Sequence, residues 1–388
     1  MMRKRYYLAD SGRSATTLEA EKPARGGGTR EPELRVTLSL RRREPLPDLE
    51  LGAPGKAFLH ATQEALETRY CPREEDLSRV EDFAREAGLQ VVATRVAAAS
   101  VTLKGTPARL ARAFGVDLKR YRESSRPFYS HTEEIGLPSR ALRDSVRGVL
   151  GLNSRPLVTR GAFPRCPVGA GRRASCEDVP ERFVAPQIAE LYSYPTNGQQ
   201  LPGQDQCLGL IELEGNYQRS DLKKYFAYLA KRGYRLSIPE IRHSGRAVSG
   251  LIQSDFEVTM DLQIAASVCP GACIVIYNAK SSTGTRRTLA AYCEVLERAI
   301  LDTKHRPSVL STSWSFPECL TELGPTKQEI GVFEKLFHLA RMRKVTICAS
   351  SGDQGSAFPV ATLWQNQLKG SQAQAVDLPV PKYPAASP

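Results

Sequence analysis

Histidine is scarce in this chain, with five in 388 residues, and no uninterrupted apolar run approaches the roughly 20 residues of a membrane helix. The first shortage weighs against zinc, because the nearest cysteine pair, Cys269 and Cys273, has no matching Cys/His run elsewhere. The second excludes a helical span. The opening segment MMRKRYYLADSGRSATTLEAEKPARGGGTR is basic but has no apolar core of a secretory signal, so it does not predict export. Nine cysteines form an odd set that leaves at least one thiol unpaired within a monomer. Cys207 and Cys348 fall in apolar runs and read as plain core residues, whereas Cys166 and Cys176 flank a loop whose spacing leaves a disulfide open.

What is present suits a soluble globular protein with two or three domains: 41% hydrophobic and 25% charged residues. The net charge of +12 raises the question of nucleic acid. Its distribution answers it. Residues 1–182 hold 33 Lys+Arg against 24 Asp+Glu, the remainder 21 against 18, and the only runs of adjacent Arg in the first half are Arg41 to Arg43 and Arg172-Arg173. A solvated basic surface is expected, able to meet an acidic surface elsewhere in the same protein. No nucleic-acid or membrane partner is expected.

Organisation along the chain falls into four stretches. Residues 1–30, polar and containing GGG, are expected to be a disordered tail. Residues 31–156 alternate strand and helix signals: a strand at ELRVTLSLR, helices near His60 to Tyr70 and from Ser78, strands ending in SVTLKG, a helix begun by Thr106 and Pro107, and a last helical segment near ALRDSVRGVLGL. Short helices over a small antiparallel sheet follow, an α+β domain. Residues 157–182 are rich in Pro, Gly and Arg and predict an exposed linker open to proteolysis. From 183 to 388 apolar strands at 207–213, 273–279, 308–314 and 345–352 alternate with helices, the pattern of an α/β parallel sheet covered on both faces.

In such sheets the working residues gather at the carboxyl ends of the strands. Here those ends carry Glu212, then Ser313-Trp314-Ser315, then Ser351-Gly352-Asp353. Asp353 alone fits a turn as well as a site, and Trp314 fits a core. Glu212 sits among apolar neighbours and needs a partner. In SDFEVTMDLQIAASVCPGA, Glu257 and Asp261 lie one helical turn apart, on a face expected to continue through Ile264 and Val268. Two close, partly buried carboxylates resist ionising together and titrate as a unit, which suits acid/base chemistry. The competing reading is a capping box, with Ser254 as cap and Glu257 three residues on; it leaves Asp261 unexplained.

From about Glu31 to Pro388 these elements resemble the sedolisin, or serine-carboxyl, peptidases of the pro-kumamolisin type. The leading domain carries LRRREPLPDLE, VEDFAREAGLQVV, VTLKGTPARLARAFGVDLKRY and SVRGVLGLNSRP; the second carries FVAPQIAELYSYP, LIELEGNY, FEVTMDLQIAASVCPGA, VLSTSWSFPE and ASSGDQGS. The resemblance implies a ferredoxin-like activation propeptide before a subtilisin-like catalytic sheet. It implies Glu257 as general base, Asp261 as the carboxylate orienting it, Asp353 as the oxyanion donor, and Glu212 and Trp314 as supporting network. Ser313, Ser315 and Gly352 are implied to contact substrate. Acid-active cleavage of polypeptides by an exported, monomeric enzyme, inhibited by its own propeptide, follows from the same source. Two departures stand out. Glu214 occupies a position that is usually Gly, adding a charge near the site. No Gly-Thr-Ser occurs, so the nucleophile serine and the family's Ca2+ ligands are both missing, and the chain is expected to be a truncated precursor, inactive alone. A non-catalytic, propeptide-like inhibitor or chaperone is the alternative.

Overall fold

The computed structural model describes residues 4–13, 18–21, 32–47, 61–123, 126–160, 183–194, 202–247, 252–279, 287–317, 324–352, 357–358, 378–379 and 382–385. An amino-terminal arm contributes β1 (Tyr6–Tyr7). The leading domain then runs β2 (Leu34–Leu40), α1 (Gln63–Thr68), α2 (Glu74–Glu86), β3 (Gln90–Arg95), β4 (Ser100–Gly105), α3 (Pro107–Phe114), the hairpin β5 (Lys119–Glu123) and β6 (Arg126–Ser130), β7 (Gly136–Leu137), α4 (Arg140–Ser145) and β8 (Val146–Leu150). Its antiparallel sheet has the order β3-β4-β2-β8, the ferredoxin-like order. Local chemistry places α3 well: the Thr106 hydroxyl accepts from the Arg109 amide, Pro107 opens the first turn, and Gly115 closes it in the left-handed region. Val36, Leu38, Val101 and Leu103 of the sheet pack on Val80, Phe83, Leu110 and Phe114 of the helices.

Two expectations for this half need correction. The segment ending in GVLGL is helical only through Ser145; Val146 onward is mostly buried and pairs with β2 as β8, so sheet pairing overrides the helix reading. The expected disordered tail is ordered in part. Tyr6–Tyr7 pair with β7, and Arg13 donates to Glu329 Oε1 (2.5 Å) with both side chains 2% exposed. A buried ion pair and a strand ladder supply what the polar sequence lacks.

Past β9 (Thr159–Arg160) the chain builds α5 (Ala185–Leu191), β10 (Cys207–Glu212), α6 (Arg219–Lys231), β11 (Ile241–Ser244), α7 (Ile252–Val268), β12 (Cys273–Asn278), α8 (Leu289–Ile300), β13 (Val309–Thr312), β14 (Trp314–Pro317), α9 (Lys327–Met342), β15 (Thr346–Ala349), the pair β16 (Ala357–Phe358) and β17 (Leu378–Pro379), and β18 (Lys382–Tyr383). The main sheet is wholly parallel, ordered β11-β12-β10-β13-β15. Its strands read as continuous apolar runs because both faces are covered. Leu210, Ile274 and Ile276 pack toward Leu222, Phe226, Val258 and Leu262 of α6 and α7; Ile211, Val275 and Tyr277 pack toward α8 and α9. Cys348 is exposed rather than core, on the outer strand of this sheet. Cys166 and Cys176 lie outside the described residues.

The two halves share a core. Ala61, Leu66, Tyr70, Ala97, Leu150, Leu157 and Val158 of the leading half join Val295, Leu296, Phe333 and Leu339 of α8 and α9 in one cluster. Where β8 crosses α9, Gly148 is required, since a Cβ there would lie 2.5 Å from Val332 Cγ2. Polar contacts frame this cluster: Ser100 donates to Glu297 (2.6 Å), Arg95 pairs with Glu294 and Glu297 (3.2 Å each), and Arg13 pairs with Glu329. Breaking a buried pair from one side strands the remaining charge. Arg13→Ala is therefore expected to cost about 3–5 kcal/mol in urea unfolding of the whole chain. Arg13→Ala/Glu329→Gln should recover part of that loss; equal losses in the single and double variants would show that no stranded charge is involved.

Candidate functional site

Strand β10 ends in Glu212, which is fully buried. A carboxyl group in that position needs donors or a proton. It has one strong donor: Trp314 Nε1 donates to Glu212 Oε2 at 3.0 Å. Trp314 is held in turn by Tyr292, whose hydroxyl donates to the Trp314 carbonyl (2.9 Å) and lies 3.0 Å from Thr312 Oγ1. The second oxygen, Glu212 Oε1, meets no donor of full hydrogen-bond geometry among the described residues, yet the group interacts closely with Asp261. One proton held between the two carboxyl groups, with Glu212 the donor, satisfies both.

The run expected to be a single strand at 308–314 breaks after Thr312. Ser313 sits at the break, and its hydroxyl donates to Asp261 Oδ2 (2.7 Å). Burial pushes the Glu212 carboxyl well above the usual range, with the charges of Asp261 and Glu257 adding to the rise. Burial also raises Asp261, against which the Ser313 hydroxyl and Glu212 act as stabilising hydrogen-bond partners of the ionised form. Glu257, one turn earlier on α7, is buried.

The helix carrying these carboxylates differs from expectation in two respects. Ser254 lies inside α7 and not at its cap, so the capping-box reading of Glu257 falls. The inward apolar stripe is Val258, Leu262 and Ala266, while Ile264 is 47% exposed. Glu257 and Asp261 sit on the flank of that stripe, facing the end of β10. The loop after β10 locks onto the same helix. Gly215 has φ +98° and no room for a Cβ, which would lie 2.5 Å from the Ser254 carbonyl oxygen, and the Asn216 amide donates to Asp255 Oδ1 (2.8 Å). The extra charge of Glu214 is matched by Arg287, with Nε 2.7 Å from Glu214 Oε1. Sequence patterns did not indicate Arg287 or Tyr292. The one available signal was a tyrosine in the apolar helix AAYCEVLER, since a buried phenol usually finds a partner.

Glu212, Asp261, Trp314 and Ser313 thus converge, with Glu257 beside them. Ser315 is buried on β14, and Gly352 adopts φ +93° just beyond β15. Asp353 lies outside the described residues. Strand β14 also receives a partner: Trp314 and Ser315 pair antiparallel with Arg160 and Thr159 of β9. The segment expected to be an exposed linker therefore begins buried, at Leu157 and Val158, and runs along the strand that carries Trp314. Among the described residues no group of three or more His, Cys, Asp or Glu is arranged to hold a metal ion. Those residues do not fit a calcium site.

Residues 32–155 match the pro-kumamolisin activation domain. Kumamolisin from Bacillus sp. (strain MN-32) is 28% identical over 361 residues, covering 91% of this chain; the chain spans 62% of that relative's length. Among solved structures, Pseudomonas sedolisin, a serine-carboxyl proteinase complexed with pseudo-iodotyrostatin, overlaps 53% of this chain and 51% of its own, with 18% identity and a TM-score of 0.38. The epidermin leader peptide processing serine protease of Staphylococcus aureus overlaps 92% and 67%, with 13% identity and a TM-score of 0.41. Both superpositions are loose. The matched activation domain and the kumamolisin likeness across both halves make the chain similar to the sedolisin peptidases of the pro-kumamolisin type.

Proposed function

We propose that the chain is the precursor form of an acid-active serine-carboxyl endopeptidase, with Glu257 as general base, Asp261 as its orienting carboxylate, and Glu212 and Trp314 as the buried network behind them. The observation that supports this best is the chain of contacts from Trp314 through Glu212 to Asp261 and Ser313, at the carboxyl ends of β10 and β13. In the proposed reaction Glu257 removes the proton from a serine hydroxyl as its oxygen attacks the peptide carbonyl, then returns that proton to the leaving amine. Asp353, protonated, would donate to the developing oxyanion. An ionised base and a neutral carboxylic acid coexist at low pH, or where burial spreads the two pKa values apart. Residues 1–388 contain no Gly-Thr-Ser, so the activity is proposed for a protein that supplies the serine, and these residues alone are proposed not to hydrolyse peptides.

Polypeptide binding to β14 by strand addition is consistent with β9 lying along Trp314 and Ser315. The activation domain would then act as an intramolecular inhibitor of a monomeric, exported enzyme. A second reading, a non-catalytic inhibitor or chaperone of a related peptidase, draws support from the core that the activation domain shares with α8 and α9.

In a protein carrying the serine, Glu257→Gln is expected to lower kcat/KM by about 10²–10⁴-fold, with the fold retained. Acid-dependent hydrolysis by residues 1–388 alone, abolished by Glu257→Gln, would overturn the assignment of these residues as incomplete machinery.

The raised carboxyl groups also predict the pH dependence of stability. Groups whose folded pKa lies above the unfolded value of about 4 stabilise fully below that value, and the contribution is lost as pH rises through the folded value. Glu212→Gln keeps an acceptor for Trp314 and a donor for Asp261 without the ionisation. The stability difference between wild type and Glu212→Gln, measured by urea unfolding from about pH 4 to pH 8, should therefore shift in favour of the variant as pH rises. Parallel curves would remove Glu212 as a buried, protonated group.

A further inference from the structure

A cavity of about 410 Å³ lies between the activation sheet and helices α8 and α9. It is lined from both halves, and its charges do not balance. Arg42, just past β2, and Arg147 on β8 come from the activation domain; Lys335 comes from α9. Arg41, also on the wall, is matched by a two-point bond to Asp76 (2.7 and 2.9 Å). The other three have no such match. Arg42 is held by the Tyr70 carbonyl (2.6 Å) and Arg147 by the Asp144 carbonyl (3.0 Å), neutral acceptors in both cases. Lys335 makes no hydrogen bond or ion pair among the described residues.

The one carboxylate among the described lining residues is Glu297, and it is engaged on another side by Ser100 (2.6 Å) and Arg95 (3.2 Å). Its field reaches Arg42 but does not neutralise it: burial lowers that guanidinium to about 10. Lost hydration, together with the like charges of Arg147 and Arg42, lowers the Lys335 ammonium to about 8. Three cations are therefore gathered around one cavity, Arg42 half-buried and Arg147 and Lys335 exposed at its mouth, with the Thr37 and Ser39 hydroxyls on the same wall. Such an arrangement favours an incoming anion, because each guanidinium presents paired donors and the ammonium a mobile point charge.

We infer that this cavity binds a small dianionic oxyanion of the phosphate or sulfate type, bridging Arg42 and Arg147 of the activation domain to Lys335 of α9. The volume admits such an ion together with bridging waters. Because its ligands come from both halves, the ion stabilises the docked arrangement by mass action. The site is remote in sequence from Glu212, Asp261 and Glu257, and it does not depend on the peptidase reading.

The test is calorimetric titration of the full 388-residue chain with inorganic phosphate, and separately with sulfate, at ionic strength held constant with chloride. Saturable binding is expected, accompanied by a rise in the thermal unfolding midpoint. Arg147→Ala/Lys335→Met should weaken the affinity about tenfold or more. The charge-matched surface control Arg219→Ala/Lys223→Met should leave it unchanged. Should the double variant fail to fold, Lys335→Met alone reads the same loss. Absence of saturable binding to the wild type, or equal affinity in the cavity variant and the surface control, overturns the inference.

Discussion

A carboxyl group that cannot reach water sits at the carboxyl end of the central strand, and much of the second half is arranged around it. Glu212 is reached from three directions: by the indole of Trp314 beyond β13, by Asp261 on α7, and through Asp261 by the Ser313 hydroxyl. An unpaired ion in such a place would be expensive, so the neighbouring elements must deliver partners at hydrogen-bond distance. That requirement fixes the break between β13 and β14, since an uninterrupted strand would not turn Ser313 toward Asp261 as well as Trp314 toward Glu212. It also explains the tight seat of the loop after β10, where Gly215 presses on the Ser254 carbonyl. A rigid polar network of this kind polarises its members and holds them in one arrangement.

The activation domain adds a different constraint. Its sheet has one apolar face toward its own helices and a second face toward α9, so it cannot leave without exposing Leu150, Leu157 and Val158 and the residues of α8 and α9 they cover. Three ion-pair contacts ring this region, and at least one, between Arg13 and Glu329, is almost wholly removed from water. Pairs like these add little net stability over apolar packing, but they penalise any mismatched docking strongly. The apolar cluster thus supplies adhesion and the charges supply register.

Much of this was legible in the sequence where the signal was local. Thr326 with Glu329 three residues later forms the capping box that opens α9, and Thr106-Pro107 opens α3; both follow from short-range chemistry. The continuous apolar runs of β10, β12, β13 and β15 announced a parallel sheet. Glu212 and Asp261 were conspicuous as charges in apolar surroundings. The rest depended on contacts made across long stretches of chain. Arg13 meets Glu329 316 residues away, and Arg287 meets Glu214 only because α8 begins beside the end of β10. No periodicity reports such meetings. Ile264 was misplaced for a related reason: with 100° between residues, a stripe drawn through Glu257 and Asp261 runs along the edge of the buried face and leaves it within two turns.

Trp314 couples these two systems. Its indole N–H is committed to Glu212, its carbonyl to Tyr292, and its position on β14 sets it opposite Arg160 of β9. A peptide segment that adds to β14 therefore pairs with the residue that holds the buried carboxyl group in place. If the strand partner shifts the indole by a fraction of an ångström, the Glu212 hydrogen bond weakens, and Glu212 has no alternative donor among the described residues. Its proton affinity must then rise. Were the indole so shifted, the protonation of Glu212 and the occupancy of the β14 edge would be linked, each biasing the other by the same free energy. The first residues after the activation domain, Thr159 and Arg160, lie on that edge, so the joint between the two halves of the chain abuts the strand whose indole holds the buried carboxyl group.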